Sequence, residues 1–171
     1  MTTAGFAEIS SRSSDDDKYD LCAFDYTPQS GTTPHLRGAF FHLHSDSIWS
    51  PAEDVVAFIA AGHAFDDQQF YSKGGNHHHC VVRSITCHSF EQPPDQSLGR
   101  VKPYDDIEVD PNGFSGGPIF AMCAAQETVR VKLAGIINRA GRSAIHFIKA
   151  SDVLALLQAT KDHELRAELH E

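Results

Sequence analysis

The chain has 171 residues, about one ordinary domain and long enough to bury a core without disulfides or a metal to hold it. Fourteen Lys+Arg against 23 Asp+Glu give a net charge of −9, which excludes the global positive field that draws in nucleic acid or an anionic membrane. Cys22, Cys80, Cys87 and Cys123 are too sparse to imply a disulfide framework and read as reduced thiols.

Residues 1–8 contain neither a basic start nor a long apolar run, so no export signal is expected and the compartment defaults to the cytoplasm. No later run has the length needed to cross a bilayer. Residues 1–18 include Ser10-Ser11-Arg12-Ser13-Ser14-Asp15-Asp16-Asp17, a polar lead-in with too little apolar surface to fold alone. From Tyr19 onward, short β-prone runs at 21–26, 38–43, 54–60, 81–90, 129–138 and 143–148 alternate with turn-forming clusters. Pro28-Gln29-Ser30-Gly31, Pro93-Pro94-Asp95 and Asp110-Pro111-Asn112-Gly113 are examples of those clusters. Many short strands with frequent turns predict an antiparallel barrel or sandwich. Ser151 as N-cap, Asp152 in the first turn and Val153, Leu156, Leu157, Leu165 and Leu169 at near-helical spacing predict a terminal helix over 151–171.

Gly74-Gly75-Asn76-His77-His78-His79-Cys80 gathers metal-ligand residue types. Neighbours on a strand face opposite ways, so either His77 with His79 or His78 with Cys80 can share an ion, and the segment reads as a solvated loop leading into a strand. No metal and no cofactor is therefore expected.

The chemistry-bearing segment is Gly113-Phe114-Ser115-Gly116-Gly117-Pro118-Ile119-Phe120. With glycine at about 7% and proline at about 5% of residues, Gly-x-Ser-Gly-Gly-Pro arises by chance on the order of once in several thousand chains of this length, so an incidental serine in a glycine turn is the minor reading. A serine hydroxyl attacks a carbonyl when it is presented on a tight turn, beside a base, with backbone N–H groups aimed at the developing oxyanion. The segment also fits the Gly-x-Ser-x-Gly elbow of α/β-hydrolases, but that elbow leads into a helix, and here Pro118 and β-prone residues follow.

This segment resembles the nucleophile loop of the trypsin-like serine peptidases, in particular bacterial-type members without an aspartate before the serine. Phe114 in that place implies no zymogen switch. The resemblance extends to Leu133-Ala134-Gly135-Ile136-Ile137-Asn138, similar to the strand lining the substrate cleft, and to His146-Phe147-Ile148-Lys149-Ala150, similar to the closing strand ahead of the final helix. Tyr19-Asp20-Leu21-Cys22-Ala23-Phe24 is similar to the family's aspartate segment, and 57–62 to a strand and glycine between the two. The resemblance implies an all-β, antiparallel two-barrel fold with a C-terminal α-helix and an incomplete N-terminal barrel. Residues 19–100 would hold the remainder of the first barrel and a linker, and 101–150 the second barrel.

It further implies hydrolysis of peptide or protein substrates through an acyl-enzyme. Ser115 would be the nucleophile, Asp20 the orienter of the imidazole, the Gly113 and Ser115 amides the oxyanion hole, and Asn138, Arg139 and Ala140 backbone partners of an extended substrate. The family order is His, Asp, Ser, and no histidine precedes Asp20. The chain is thus expected to be the downstream piece of a longer peptidase or a shortened relative, weak or inactive as it stands; a non-catalytic peptide-binding module is the alternative. Among eleven histidines, His42, His44 and His63 lie nearest to apolar strands as substitute bases, a role that would require the fold to be rewired. Val109 and Asp110, near the specificity position, leave the preferred side chain open.

Overall fold

A computed structural model describes residues 5–8, 21–25, 41–67, 69–71, 77–79, 81–105 and 110–168. Asp20, Cys80 and Val109 lie outside them. In chain order the strands are β1 (Gly5–Glu8), β2 (Cys22–Asp25), β3 (Val55–Gly62), β4 (Gln69–Tyr71), β5 (His77–His79), β6 (Arg83–Glu91), β7 (Leu98–Pro103), β8 (Pro118–Ala125), β9 (Thr128–Ala140) and β10 (Ile145–Lys149), followed by helix α1 (Ala150–Glu168).

Six of these strands close an antiparallel barrel in the order β10-β7-β6-β3-β8-β9. Closure gives each of these strands a neighbour on both sides and encloses their inward faces. Alternation along β8 shows the pattern, with Ile119, Ala121 and Cys123 buried between more accessible neighbours. Phe58, Val101, Ile137, Ile145 and Phe147 fill the same interior. Trp49 plugs one side of it, edge-on to Phe58 at 5.1 Å and to Phe90 at 4.8 Å between ring centroids. A smaller cluster of Leu21, Leu98, Ile148 and Leu156 packs α1 and the start of β2 onto β7 and β10.

The two-barrel expectation is reduced accordingly: the described residues form one closed barrel, accompanied by the two-stranded sheets β1–β2 and β4–β5. The barrel begins at Val55, upstream of residue 101 where the sequence reading starts its second barrel. Leu98–Pro103 is a barrel strand although Gly99, two cations and a terminal proline mask it in sequence. The helix starts at Ala150, directly on the end of β10, so Ser151 is a helical residue and not the cap. Residues 77–79, expected in a loop, pair with β4. Among the described residues, no helix is long and apolar enough to cross a membrane.

Candidate active site

Two consecutive tight turns carry Ser115 away from the barrel. The Phe114 N–H donates to Pro111 O at 3.0 Å, and the Gly117 N–H to Phe114 O at 2.9 Å. Each turn places a glycine third, Gly113 at φ +95° and Gly116 at φ +84°. A positive φ at that position defines a type II turn and favours glycine. The spacing Gly-x-Ser-Gly is therefore two turns laid end to end, with Ser115 exposed at the second position of the latter. Asp110 starts the run by accepting from the Asn112 N–H and side-chain amide, both at 3.0 Å.

What surrounds the turns restricts them further. A Cβ on Gly113 would collide with the His63 carbonyl oxygen, and one on Gly117 with the Ala61 carbonyl oxygen. The Phe65 N–H donates to Asn112 O at 2.8 Å, so the chain leaving β3 braces the Ser115 loop from behind. Phe114 is 1% exposed and fills the space beside Gly62. The residue before the serine is thus the anchor that holds the exposed turn to the core.

On its other side the loop meets β9. Gly116 N–H donates to Ile137 O and Ile137 N–H to Gly117 O, both at 2.8 Å. Strand pairing between β8 and β9 stops at Pro118↔Ile136, while on the opposite edge Arg139 and Ala140 pair with His146 and Ile145 of β10. A register shift between His146 and Phe147 leaves Asn138 as the extra residue of a bulge. Into that bulge the Ser115 hydroxyl donates a hydrogen bond, Oγ to Asn138 O at 3.1 Å. The structure therefore brings Gly113, Ser115 and Asn138 together, with Arg139 and Ala140 continuing the strand. No acceptor is paired with the Gly113 or Ser115 amide among the described residues. The side-chain Nδ2 of Asn138 is buried without a hydrogen-bond partner.

Asp20, the sequence candidate for orienting an imidazole, lies outside the described residues. The substitute bases are not joined to the serine: the His63 Nδ1 lies 3.2 Å from Val81 O, and its main chain, not its ring, abuts Gly113. His42 and His44 lie in the segment leading to the short 3-10 turn Ser45–Ser47. Another serine–imidazole contact exists at Ser89 Oγ and His88 Nδ1, 2.5 Å apart. It sits within an irregularity of the β6–β7 pairing, with Ser89 itself at φ +54° and no glycine turn beside it to supply an oxyanion site.

Sequence reasoning missed the bracing by 61–65 and the Asn138 carbonyl as the hydroxyl's partner. The small Ala61-Gly62 pair ending β3 was the available sign of a close backbone approach. Cys22, Cys87 and Cys123 are free thiols. Burial pushes the Cys87 thiol up to about 12, which makes it inert as a nucleophile. Among the described residues, no group of three or more His, Cys, Asp or Glu is placed to hold a metal ion. No family model, curated protein or solved structure matches the chain.

Proposed function

We propose that the Ser115 loop is the nucleophile site of a trypsin-like serine peptidase, acting on peptide or protein substrates through an acyl-enzyme. The observation that carries the reading is the pairing of an exposed serine with an adjacent strand edge. Ser115 sits on the second of two successive type II turns, a Cβ has no room at Gly113 of the first or at Gly117 of the second, and the hydroxyl meets β9 where β8 leaves it.

In this reading an extended substrate lies along Asn138, Arg139 and Ala140, adding a strand through main-chain hydrogen bonds. Ser115 Oγ forms a bond to the scissile carbonyl carbon while its proton passes to a base: in the family this chain resembles that base is an imidazole, which Asp20 would orient, and solvent water takes its place where none is joined to the serine. The Gly113 and Ser115 N–H groups receive the negative oxygen of the tetrahedral intermediate. The C–N bond then breaks, the base returns the proton to the departing amine, and water hydrolyses the ester by the same steps. Among the described residues no imidazole is hydrogen-bonded to Ser115, so turnover rests on the oxyanion donors and binding, which sustain about 10³ to 10⁴ over water in a worked protease of this chemistry.

A second reading has its own support. The Ser115 hydroxyl donates to a main-chain carbonyl, as in a cleft that holds a peptide without cutting it. Incubation of the full chain with a peptide library, followed by mass spectrometry, separates the two. Slow cleavage abolished by Ser115→Ala supports the peptidase; saturable peptide binding without cleavage, unchanged in Ser115→Ala, supports the module.

A further inference from the structure

Strand β9 outruns its partner β10. Residues 135–140 pair with β10 and close the barrel, whereas residues 128–132 pair with β8 and, among the described residues, have no strand on their other edge. At Leu133 the chain ahead of β3 ends this open stretch: Ile48 bridges Leu133 in parallel, and the Trp49 N–H donates to Leu133 O at 2.9 Å. Along an antiparallel strand the main-chain groups of successive residues point to opposite edges. Leu133 O points away from β8, and so therefore do the N–H and C=O of Val131 and Val129. Two donors and two acceptors are presented there, none of them paired among the described residues.

The side chains alternate with them. Val129 and Val131 stand on one face, 52% and 48% exposed, beside Ala124 and Met122 of β8. Exposed valines at alternate positions suit the pleat of an added strand. Arg130 and Lys132 stand on the other face, where Lys132 is paired with Glu53, so the three groups together are positive. This charge argues against a second copy of the chain as the added strand. Two-fold pairing of the edge on itself about Arg130 or Val131 sets Arg130 against Arg130 or Lys132, and like charges directly opposite destabilise a sheet. Pairing about Val129 runs into the turn at 126–127, where Gln126 has φ +52° and the chain is no longer extended.

We infer that residues 128–132 are a docking edge for a short extended peptide that alternates β-branched apolar side chains with acidic ones. The peptide adds an antiparallel strand, exchanging main-chain hydrogen bonds with Val129 and Val131. Its apolar side chains lie directly beside the two valines, and a carboxylate lies beside Arg130. The turn at one end and the Ile48 bridge at the other limit the docked stretch to about five residues. Val131 is roughly 20 Å along the strand from Asn138, so this edge is separate from the Ser115 site and does not depend on the reading of that site.

Fluorescence anisotropy of the full chain with two labelled hexapeptides tests this, one alternating valine with glutamate and the other valine with lysine. The glutamate peptide should bind saturably and about tenfold tighter than the lysine peptide, and Arg130→Glu should reverse that order. Val131→Pro removes an N–H that points off the edge and not into the β8 ladder, so the barrel keeps its bonds while peptide binding falls at least about tenfold. Equal binding of the two peptides, no saturable binding, or binding unchanged in Val131→Pro would overturn the inference. So would a dimer of the chain alone, seen by sedimentation equilibrium and lost in Val131→Pro, which would give the edge to a second copy. N-methylated peptides provide a check that depends on no variant folding. Methylating the valine amides should abolish binding and methylating the glutamate amides should leave it, and equal effects would contradict strand addition.

Discussion

At the scale of single residues the Ser115 loop is governed by backbone geometry more than by side-chain chemistry. Gly113 combines φ +95° with a Cβ position blocked by the His63 carbonyl. Gly113→Ala is therefore expected to cost more than the usual strain of about 1–3 kcal/mol and to displace one of the two candidate oxyanion amides. Urea unfolding measures the first effect, and reactivity of Ser115 toward a serine-directed electrophile the second. Asn138 gives a contrasting case. Its carbonyl holds the Ser115 hydroxyl, yet its side-chain Nδ2 is buried without an acceptor. An unpartnered buried donor costs about 1–3 kcal/mol, so Asn138→Leu should leave stability unchanged or raise it. A loss of more than about 1 kcal/mol on denaturant titration would mean the amide has an acceptor. The turn glycines were legible in sequence because only glycine meets a positive φ without strain. The role of Asn138 was not, because the bulge that exposes its carbonyl is set by the register of the β9–β10 hairpin, which the residue type at 138 does not signal.

Among elements, the strands that sequence reasoning found, Cys22–Asp25, Val55–Gly62, Arg83–Glu91, Thr128–Ala140 and Ile145–Lys149, carry β-branched or aromatic residues. Leu98–Pro103 escaped because a strand whose partners satisfy it on both edges need not advertise itself by propensity; Leu98, Gly99 and Val101 are buried all the same. Pro118–Ala125 was visible as far as Ile119-Phe120, after which an alanine-rich stretch hides the alternation. The tie between the approach to β3 and strand β9 is electrostatic. Lys132 Nζ donates to Glu53 at 2.5 Å, and the Ser50 N–H donates to the same carboxylate at 2.9 Å. The bond from Lys132, with the Ser50 amide, holds the Glu53 carboxyl below the usual carboxylate range. A depressed folded-state value contributes stability above the unfolded pKa, about 4.3, which is lost as pH falls through the folded value. Glu53→Gln should destabilise by up to about 1 kcal/mol at pH 7, with the difference from wild type vanishing in strong acid. Urea titrations at pH 7 and near pH 2 check both limbs. A loss that persists in acid would assign Glu53 a packing role instead.

For the molecule as a whole, one barrel closed from Val55 to Lys149 buries Cys87 on β6 and Cys123 on β8, at 0% and 3% exposure, while Cys22 is exposed. A closed barrel has no edge strand to peel away, so its interior opens through global unfolding. A thiol reagent should thus modify Cys22 in the folded chain and reach Cys87 and Cys123 at the rate of unfolding. Stopped sampling with peptide mapping would show this, and rapid modification of Cys87 would contradict a closed barrel. The antiparallel β class and the terminal helix were legible in sequence. The single-barrel closure was not, since it depends on Leu98–Pro103 bridging β6 and β10, a pairing with no local signature.

The central proposal is that Ser115 is the nucleophile of a peptidase-type site. The most direct measurement is to treat the full chain with a fluorophosphonate at neutral pH and locate the adduct by peptide mass mapping, with Ser115→Ala in parallel. The account predicts a single adduct on Ser115, absent from the variant. An unmodified Ser115, or an adduct that persists in Ser115→Ala, would contradict it.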